Sequence, residues 1–396
     1  MIVKVFKIIV YFFLGVLIFI LLALISQFVI NAKYTFPEPH AFRGDYLYNP
    51  YHGMDSTKWQ LGNFHVHTKL YFGATNGRAN SSEYLDSFYK YFNYNIIGIS
   101  DYQSINNYEK KNKWFIPEYE HGYQYYKNHH IVLNAKKVSW LDYFFRQTLS
   151  NKQFIINRLK KDTSVILTIP HPVLRQALSF NDFKYLSNYN CLEIANNERL
   201  FDSYYDTILS AGHPVFIMAD DDAHDLSKIS EGCHSFNLVN TELVKDSILH
   251  AIKTGHSVGV RFEISSYKTN EEKKNALQKL PEITNVTLKN DSLSVRLNKS
   301  VNSIKFIGQQ GAVKKEITNC ISGIYFFTKE DTYIRTEIEC IDGTTYYLNP
   351  VFRFDGVRLS DYAPSFDVLK TWALRSIVIV LLVFLFFFRK NKKANV

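Results

Sequence analysis

The hydrophobic pattern changes character several times along the chain. Residues 8–30 are apolar apart from Ser26 and Gln27, and at about 1.5 Å per helical residue they can cross the roughly 30 Å apolar layer of a bilayer. The run exceeds the about 7 to 15 residues of a signal-peptide core, and no convincing small-x-small site follows. An uncleaved transmembrane helix is expected, preceded by a cytoplasmic tail of residues 1–7. Residues 31–59, with Pro37, Pro39 and Pro50, have no clean period and predict a linker packed on the domain after it. From 60 to 262 short apolar runs, such as Ile96, Ile97 and Ile99 or Val165, Ile166 and Leu167, alternate with stretches of helical composition at 82–92 and 152–161. Strands alternating with helices predict an α/β unit built on a largely parallel sheet or barrel.

Residues 263–283 are polar, contain Glu271, Glu272, Lys273 and Lys274, and predict a solvated helix or linker. Beyond them the period is two: Ile334, Thr336, Ile338 and Cys340 share one face, and Tyr333, Arg335, Glu337 and Glu339 the other. Asp342 and Gly343 make a hairpin turn before a return strand at 344–348, so 284–357 is expected to be a small antiparallel β domain. After a juxtamembrane stretch, 358–370, comes a 13-residue apolar run at 376–388. It reaches spanning length only with 371–374 included and Arg375 snorkelling. On that basis 371–388 is expected to be a second transmembrane helix, followed by a basic tail, 389–396. Lys4 and Lys7 at one end, and Arg389, Lys390, Lys392 and Lys393 at the other, put both termini in the cytoplasm and the middle outside it.

Composition adds two constraints. With 46% hydrophobic and 16% aromatic residues among 396, the chain is not disordered. Its net charge of +9 raises a nucleic-acid partner, but residues 1–30 carry +2 and residues 371–396 carry +5, which leaves +2 for the middle. The basic balance reports membrane topology, and no run of basic and aromatic residues indicates a specific nucleic-acid partner. Four cysteines without CxxC spacing exclude a zinc ribbon. Cys320 and Cys340 leave two possibilities open, a bridge or two separate thiols.

The chemistry lies in the histidines and carboxylates. His65 and His67 are at i and i+2 of a strand-like segment, so both imidazoles face one side. Alone the pair is weak. Asp101, Glu120, His129 with His130, His171, and Asp222 with His224 join it, most of them at the ends of apolar runs, where a parallel barrel gathers its site. Imidazole and carboxylate without thiolate suit Zn, Mn or Fe. A carboxylate such as Glu120 can bridge two ions about 3.5 to 4 Å apart, an arrangement that activates water for phosphoryl transfer.

This order of motifs resembles the PHP (polymerase and histidinol phosphatase) family of metal-dependent phosphoesterases. The resemblance covers about residues 60–262 and rests on His65-Val66-His67-Thr68, Gly98-Ile99-Ser100-Asp101, Glu120, His129, His171-Pro172 and Asp222-Ala223-His224-Asp225. It implies a distorted (β/α)7 barrel with metal ions at the C-terminal rim of its strands. His65, His67, Glu120 and Asp222 would ligate one ion, and Glu120, His129 and His171 a second. Two departures matter. The segment after the first motif ends Thr75-Asn76-Gly77 instead of Ser-Asp-Gly, and the usual Asp-His is Asp101-Tyr102. Both remove ligands of a third ion, so two divalent ions are expected, with His224 or Asp101 acting as acid or base on the leaving oxygen.

His129 and His130 compete for one ligand role; the resemblance, whose histidine strand has a small residue five positions on, here Asn134, implies His129. Glu193 is either a carboxylate that orients a ligand or a plain rim group. Arg175, just past His171-Pro172, either holds a substrate phosphate or forms a salt bridge. His213, His234, His250 and His256 are expected to be surface or packing residues. The fold class expected is thus an α/β PHP-type barrel followed by a small antiparallel β domain and flanked by two membrane helices. The function expected is a membrane-anchored phosphoesterase acting on a phosphorylated small molecule or polymer. An amidohydrolase-like hydrolase of a non-phosphate bond and a non-catalytic PHP-fold binding module are the alternatives.

Overall fold

The computed structural model describes residues 2–196, 199–357, 359 and 362–394. The N-terminal apolar run forms one helix, Ile2–Val29, whose side chains are almost all exposed. It is long and apolar enough to cross a membrane, and among the described residues it is the one helix that is. The C-terminal run is also helical, Val368–Ala394, but the second span expected at 371–388 is not found. Arg375 and the basic tail leave 13 continuous apolar residues, about 20 Å of helix, against the roughly 30 Å needed. Placing both termini in the cytoplasm requires that second crossing and loses its basis with it.

Among the described residues the strands sort into two large open sheets, and no barrel closes. One sheet has the order Phe216–Asp220, Cys191–Asn196, Ile166–Ile169, His130–Leu133, Glu118–His121. The other runs Ile283–Lys289, Ser292–Gly308, Tyr333–Glu339, Thr345–Leu348, Ser257–Arg261, Ser235–Asn240, Trp59–Asn63, Ile96–Ile97. Where a barrel would need continuous ladders, the sheets meet through single bridges, Val66 to Ala223 and Tyr102 to Glu120. The expected (β/α)7 barrel therefore gives way to a mixed α/β architecture. Residues 122–129, which join Glu118–His121 to His130–Leu133, contain no helix and are too few for a parallel crossover. That pair is antiparallel, as is the next, His130–Leu133 with Ile166–Ile169.

The hairpin expected around Asp342 and Gly343 is present, with Ile338 opposite Tyr346 and Gly343 at φ +91°, a backbone conformation that glycine adopts freely. Its outer strand joins Ser257–Arg261, so the β-rich C-terminal region continues the sheet that carries Trp59–Asn63. The polar stretch before it contains the helix Asn270–Leu277, capped by Thr269. Lys273 is buried there, its Nζ donating to the carbonyls of Ile229 and Gly232. All four cysteines are free thiols.

Strand Tyr333–Glu339 is buried on both faces at its start, because the helix Asp202–Ser210 covers the face predicted to be polar. Arg335 survives there through a two-pronged ion pair with Asp206, Nε to Oδ1 at 2.7 Å and Nη2 to Oδ2 at 2.8 Å. Removing Asp206 leaves the buried guanidinium with Glu337 alone, whose Oε2 is 3.2 Å from Nη1. Asp206→Ala is expected to destabilise the chain by about 3–5 kcal/mol, and Asp206→Leu combined with Arg335→Met to recover most of that. Denaturant unfolding of the detergent-solubilised chain measures both; equal losses in the single and double variants would refute the assignment.

Candidate metal centre

The site forms where the two sheets touch. His65, Val66 and His67 follow Trp59–Asn63, and the bridge from Val66 to Ala223 sets them beside the segment after Phe216–Asp220. The register is locked by carboxylates. Asp220 Oδ1 accepts from the Phe64 amide at 2.7 Å, and Asp221 Oδ2 accepts from Asn63 Nδ2 and from the Tyr89 hydroxyl, both at 2.7 Å. The Asp222 amide donates to the His65 carbonyl at 2.8 Å. Two ligand-type residues hold uncommon backbone conformations, His171 at φ +28° and Asp222 at φ +50°. Such conformations cost about 1–3 kcal/mol each and concentrate at functional sites.

Glu120 lies at the centre, fully buried, and its two carboxylate oxygens serve different neighbours. Oε1 is hydrogen-bonded to His129 Nδ1 and lies 2.9 Å from His171 Nε2. Oε2 lies 3.2 Å from His67 Nε2 and 3.7 Å from His65 Nε2. Asp222 Oδ1 closes the second side, 3.1 Å from His65 Nε2 and 3.2 Å from His67 Nε2. His129, not His130, reaches Glu120. Gly122 permits this: a Cβ there would stand 2.5 Å from His129 Cδ2.

Ligand-type atoms gather within 4.8 Å of one another in four overlapping groups: His65, His67 and Glu120; His65, His171 and Asp222; His67, Asp222 and His224; Glu120, His129 and His171. His65 Nε2, Glu120 Oε2 and His129 Nε2 are buried without a hydrogen-bond partner. An unsatisfied buried polar atom costs about 1–3 kcal/mol, which a cation among these donors would relieve, so the residues fit a divalent metal. Electrostatics agree. Burial pushes Glu120 and Asp222 upward, but the imidazoles around them prevail and hold both carboxylates well below their usual range. Burial lowers His129 to about 4 against the opposing pull of the Glu120 charge. At His65 burial favours the neutral ring, and the charges of Asp222 and Glu193 outweigh it, raising its pKa well above the ordinary value.

The remaining expected residues fall in distinct places. Glu193 sits behind the cluster: Oε1 is 2.9 Å from His65 Nδ1, and Oε2 accepts from the His171 amide at 2.6 Å and from Asn196 Nδ2 at 2.7 Å. This fixes which His65 nitrogen faces inward. His224 stands at the rim, its Nε2 3.1 Å from the Tyr102 hydroxyl. Both oxygens of Asp101 are engaged, Oδ1 by the Thr68 amide, Oδ2 by the Thr68 hydroxyl and Asn106 Nδ2. Asn76 is exposed. Arg175 donates to the Tyr125 carbonyl and lies over that ring.

Three features escaped sequence reasoning. Tyr102, counted there only as a lost ligand, stacks on His67 with centroids 4.2 Å apart and 9° between planes. Lys127 places its ammonium 5.3 Å from the Tyr102 ring centroid. Asp220 and Asp221 lock the register, and the run of three aspartates at 220–222 was the available signal for them.

No protein-family model matches the chain, and no curated protein matches it. Among the solved structures that resemble it are two at low identity. One is a two-domain protein containing a predicted PHP-like metal-dependent phosphoesterase from Bacteroides vulgatus ATCC 8482, at 12% identity and a TM-score of 0.41, covering 79% of this chain and 99% of that one. The other is PsfC from Pseudomonas syringae PB-5123, at 11% identity and a TM-score of 0.32, covering 49% of this chain and 87% of that one. Likenesses so distant carry no weight for the chemistry, which stands on the side chains themselves.

Glu193→Gln is expected to weaken metal binding by about 10- to 100-fold without unfolding the chain, since it loosens the orientation of His65. Competition against a chelating dye checks this; unchanged affinity would make Glu193 a packing group.

Proposed function

We propose that the chain is a membrane-anchored, metal-dependent phosphoesterase of the PHP type, with its chemistry in residues 60–262 and its anchor in the helix Ile2–Val29. The observation that carries the proposal is the division of the Glu120 carboxylate between His65 and His67 on one side and His129 and His171 on the other. His65, His67, Asp222 and Glu120 would hold one divalent ion, and Glu120, His129 and His171 a second, of Zn, Mn or Fe character. Such a pair supplies Lewis acidity that lowers the pKa of water and neutralises charge on a phosphoryl group.

The chain's own residues do the rest. Glu193 orients His65, and Tyr102 braces His67 by stacking. His224, part-exposed at the rim, keeps its Nδ1 proton on the Asp222 carbonyl at 2.6 Å, which leaves Nε2 free to take a proton from the attacking water and pass it to the leaving oxygen. Asp101, its oxygens taken by Thr68 and Asn106, holds the turn after His67. Lys127 supplies positive charge beside Tyr102 for the substrate's phosphate, a role for which Arg175 is the alternative. Lys4 and Lys7, in the first turns of the helix and ahead of its apolar run, favour a cytoplasmic N-terminus with the catalytic region outside.

The full chain in detergent is expected to bind two divalent ions and to hydrolyse members of a panel of phosphomonoesters and phosphodiesters, but no amides. His65→Ala and Asp222→Ala are expected to lose bound metal and at least about 100-fold of the activity, a loss typical of disrupted metal catalysis. Amide turnover without phosphoester turnover would select the amidohydrolase alternative. Metal-free, inactive protein would select the binding module, and three tightly bound ions would contradict the two-metal assignment.

A further inference from the structure

The two loops that flank the strand His130–Leu133, residues 122–129 and 134–148, carry large aromatic side chains outward. Trp140 is 59% exposed and Phe144 54%, and Phe145 and Tyr123 are exposed beside them. These are not scattered: the Tyr123 and Phe144 rings lie 6.0 Å apart, and the Tyr123 hydroxyl donates to the Trp140 carbonyl. A soluble surface rarely gathers so much aromatic area in one patch.

Its neighbour says what covers it. Phe144 meets Phe19 of the N-terminal helix edge-on, with centroids 5.8 Å apart. Phe19 lies ten residues before the helix ends at Val29, about 15 Å back along the axis. A loop reaching that far down the helix able to cross the membrane enters the same layer as the helix. Tryptophan and phenylalanine are the side chains that favour that boundary. Next to Trp140 opens a cleft of about 790 Å³, with Lys137, Arg158 and Lys161 on its wall, placed as cations that meet anionic headgroups.

The 134–148 loop is fastened to the metal centre. His121, next to Glu120, lies 3.0 Å through Nε2 from the Leu141 carbonyl. Asn128, next to His129, donates to Gln147 Oε1, and Gln147 Nε2 donates to Asp142 Oδ1. Asp142 Oδ2 in turn accepts from the Tyr123 amide at 3.0 Å. Two ligand-type residues are thus one position away from groups that hold the aromatic loop.

We propose that the Trp140–Phe144–Phe145 loop inserts into the bilayer crossed by the N-terminal helix, and that the metal centre thereby acts on phosphate esters of lipid headgroups presented by that bilayer. The substrate half rests on the phosphoesterase proposal; the insertion half does not.

The test uses the full chain in phosphatidylcholine nanodiscs. Bromine on the acyl chains is expected to quench the fluorescence that Trp140→Phe removes, so that the wild type loses a larger fraction than the variant. Equal fractional quenching overturns insertion. With phosphatidate or phosphatidylglycerol in the disc, the wild type is expected to release the headgroup phosphate or alcohol. The variant W140A/F144A/F145A is expected to be slower on lipid by about tenfold or more and unchanged on soluble p-nitrophenyl phosphate. Hydrolysis of the soluble ester without hydrolysis of either lipid, or equal losses on both, overturns the lipid substrate. Inactivity on every ester overturns the phosphoesterase proposal instead, and the quenching still decides insertion.

Discussion

Everything in the candidate centre depends on one buried carboxylate with two differently occupied oxygens. Glu120 is removed from water among four imidazoles, a placement that a lone carboxylate would not survive. It stays ionised because His129, His171 and His65 outweigh the cost of burial. Those imidazoles come from segments far apart in sequence, so the centre forms only when both sheets are assembled. The strain at His171 and Asp222 belongs to the same constraint: backbone is bent where two open sheets must deliver side chains to one point.

Much of this was legible in the chain. The i, i+2 pair His65 and His67, and the placement of His171 and Asp222 near the ends of apolar runs, announced a convergent cluster, and the structure brings these residues together with Glu120 and His129. Strand register explains why adjacent His129 and His130 cannot both point at Glu120. The closed barrel was not legible correctly, because apolar runs report strands without their direction. The short, helix-free connection at 122–129 forces an antiparallel pair that periodicity does not display. Tyr102 looked like a missing ligand because sequence reasoning weighs donor atoms and not ring faces; its stacking on His67 is a packing fact.

The two apolar ends differ in one quantity, the length of uninterrupted apolar helix. Ile2–Val29 is long and apolar enough to cross, while Arg375 and the basic tail cut the C-terminal run short. The β-rich C-terminal region joins the region that carries the candidate centre through the pairing of Ser257–Arg261 with Thr345–Leu348, and Arg335 with Asp206 fastens it a second time across Asp202–Ser210. It therefore buttresses the sheet from which His65 and His67 project.

The central claim is that Glu120 is shared by two cations, and anomalous scattering from crystals of the metal-loaded full chain tests it most directly. Two peaks about 3.5 to 4 Å apart on either side of the Glu120 carboxylate are predicted. A single peak, or peaks that leave Glu120 outside their coordination, would contradict it.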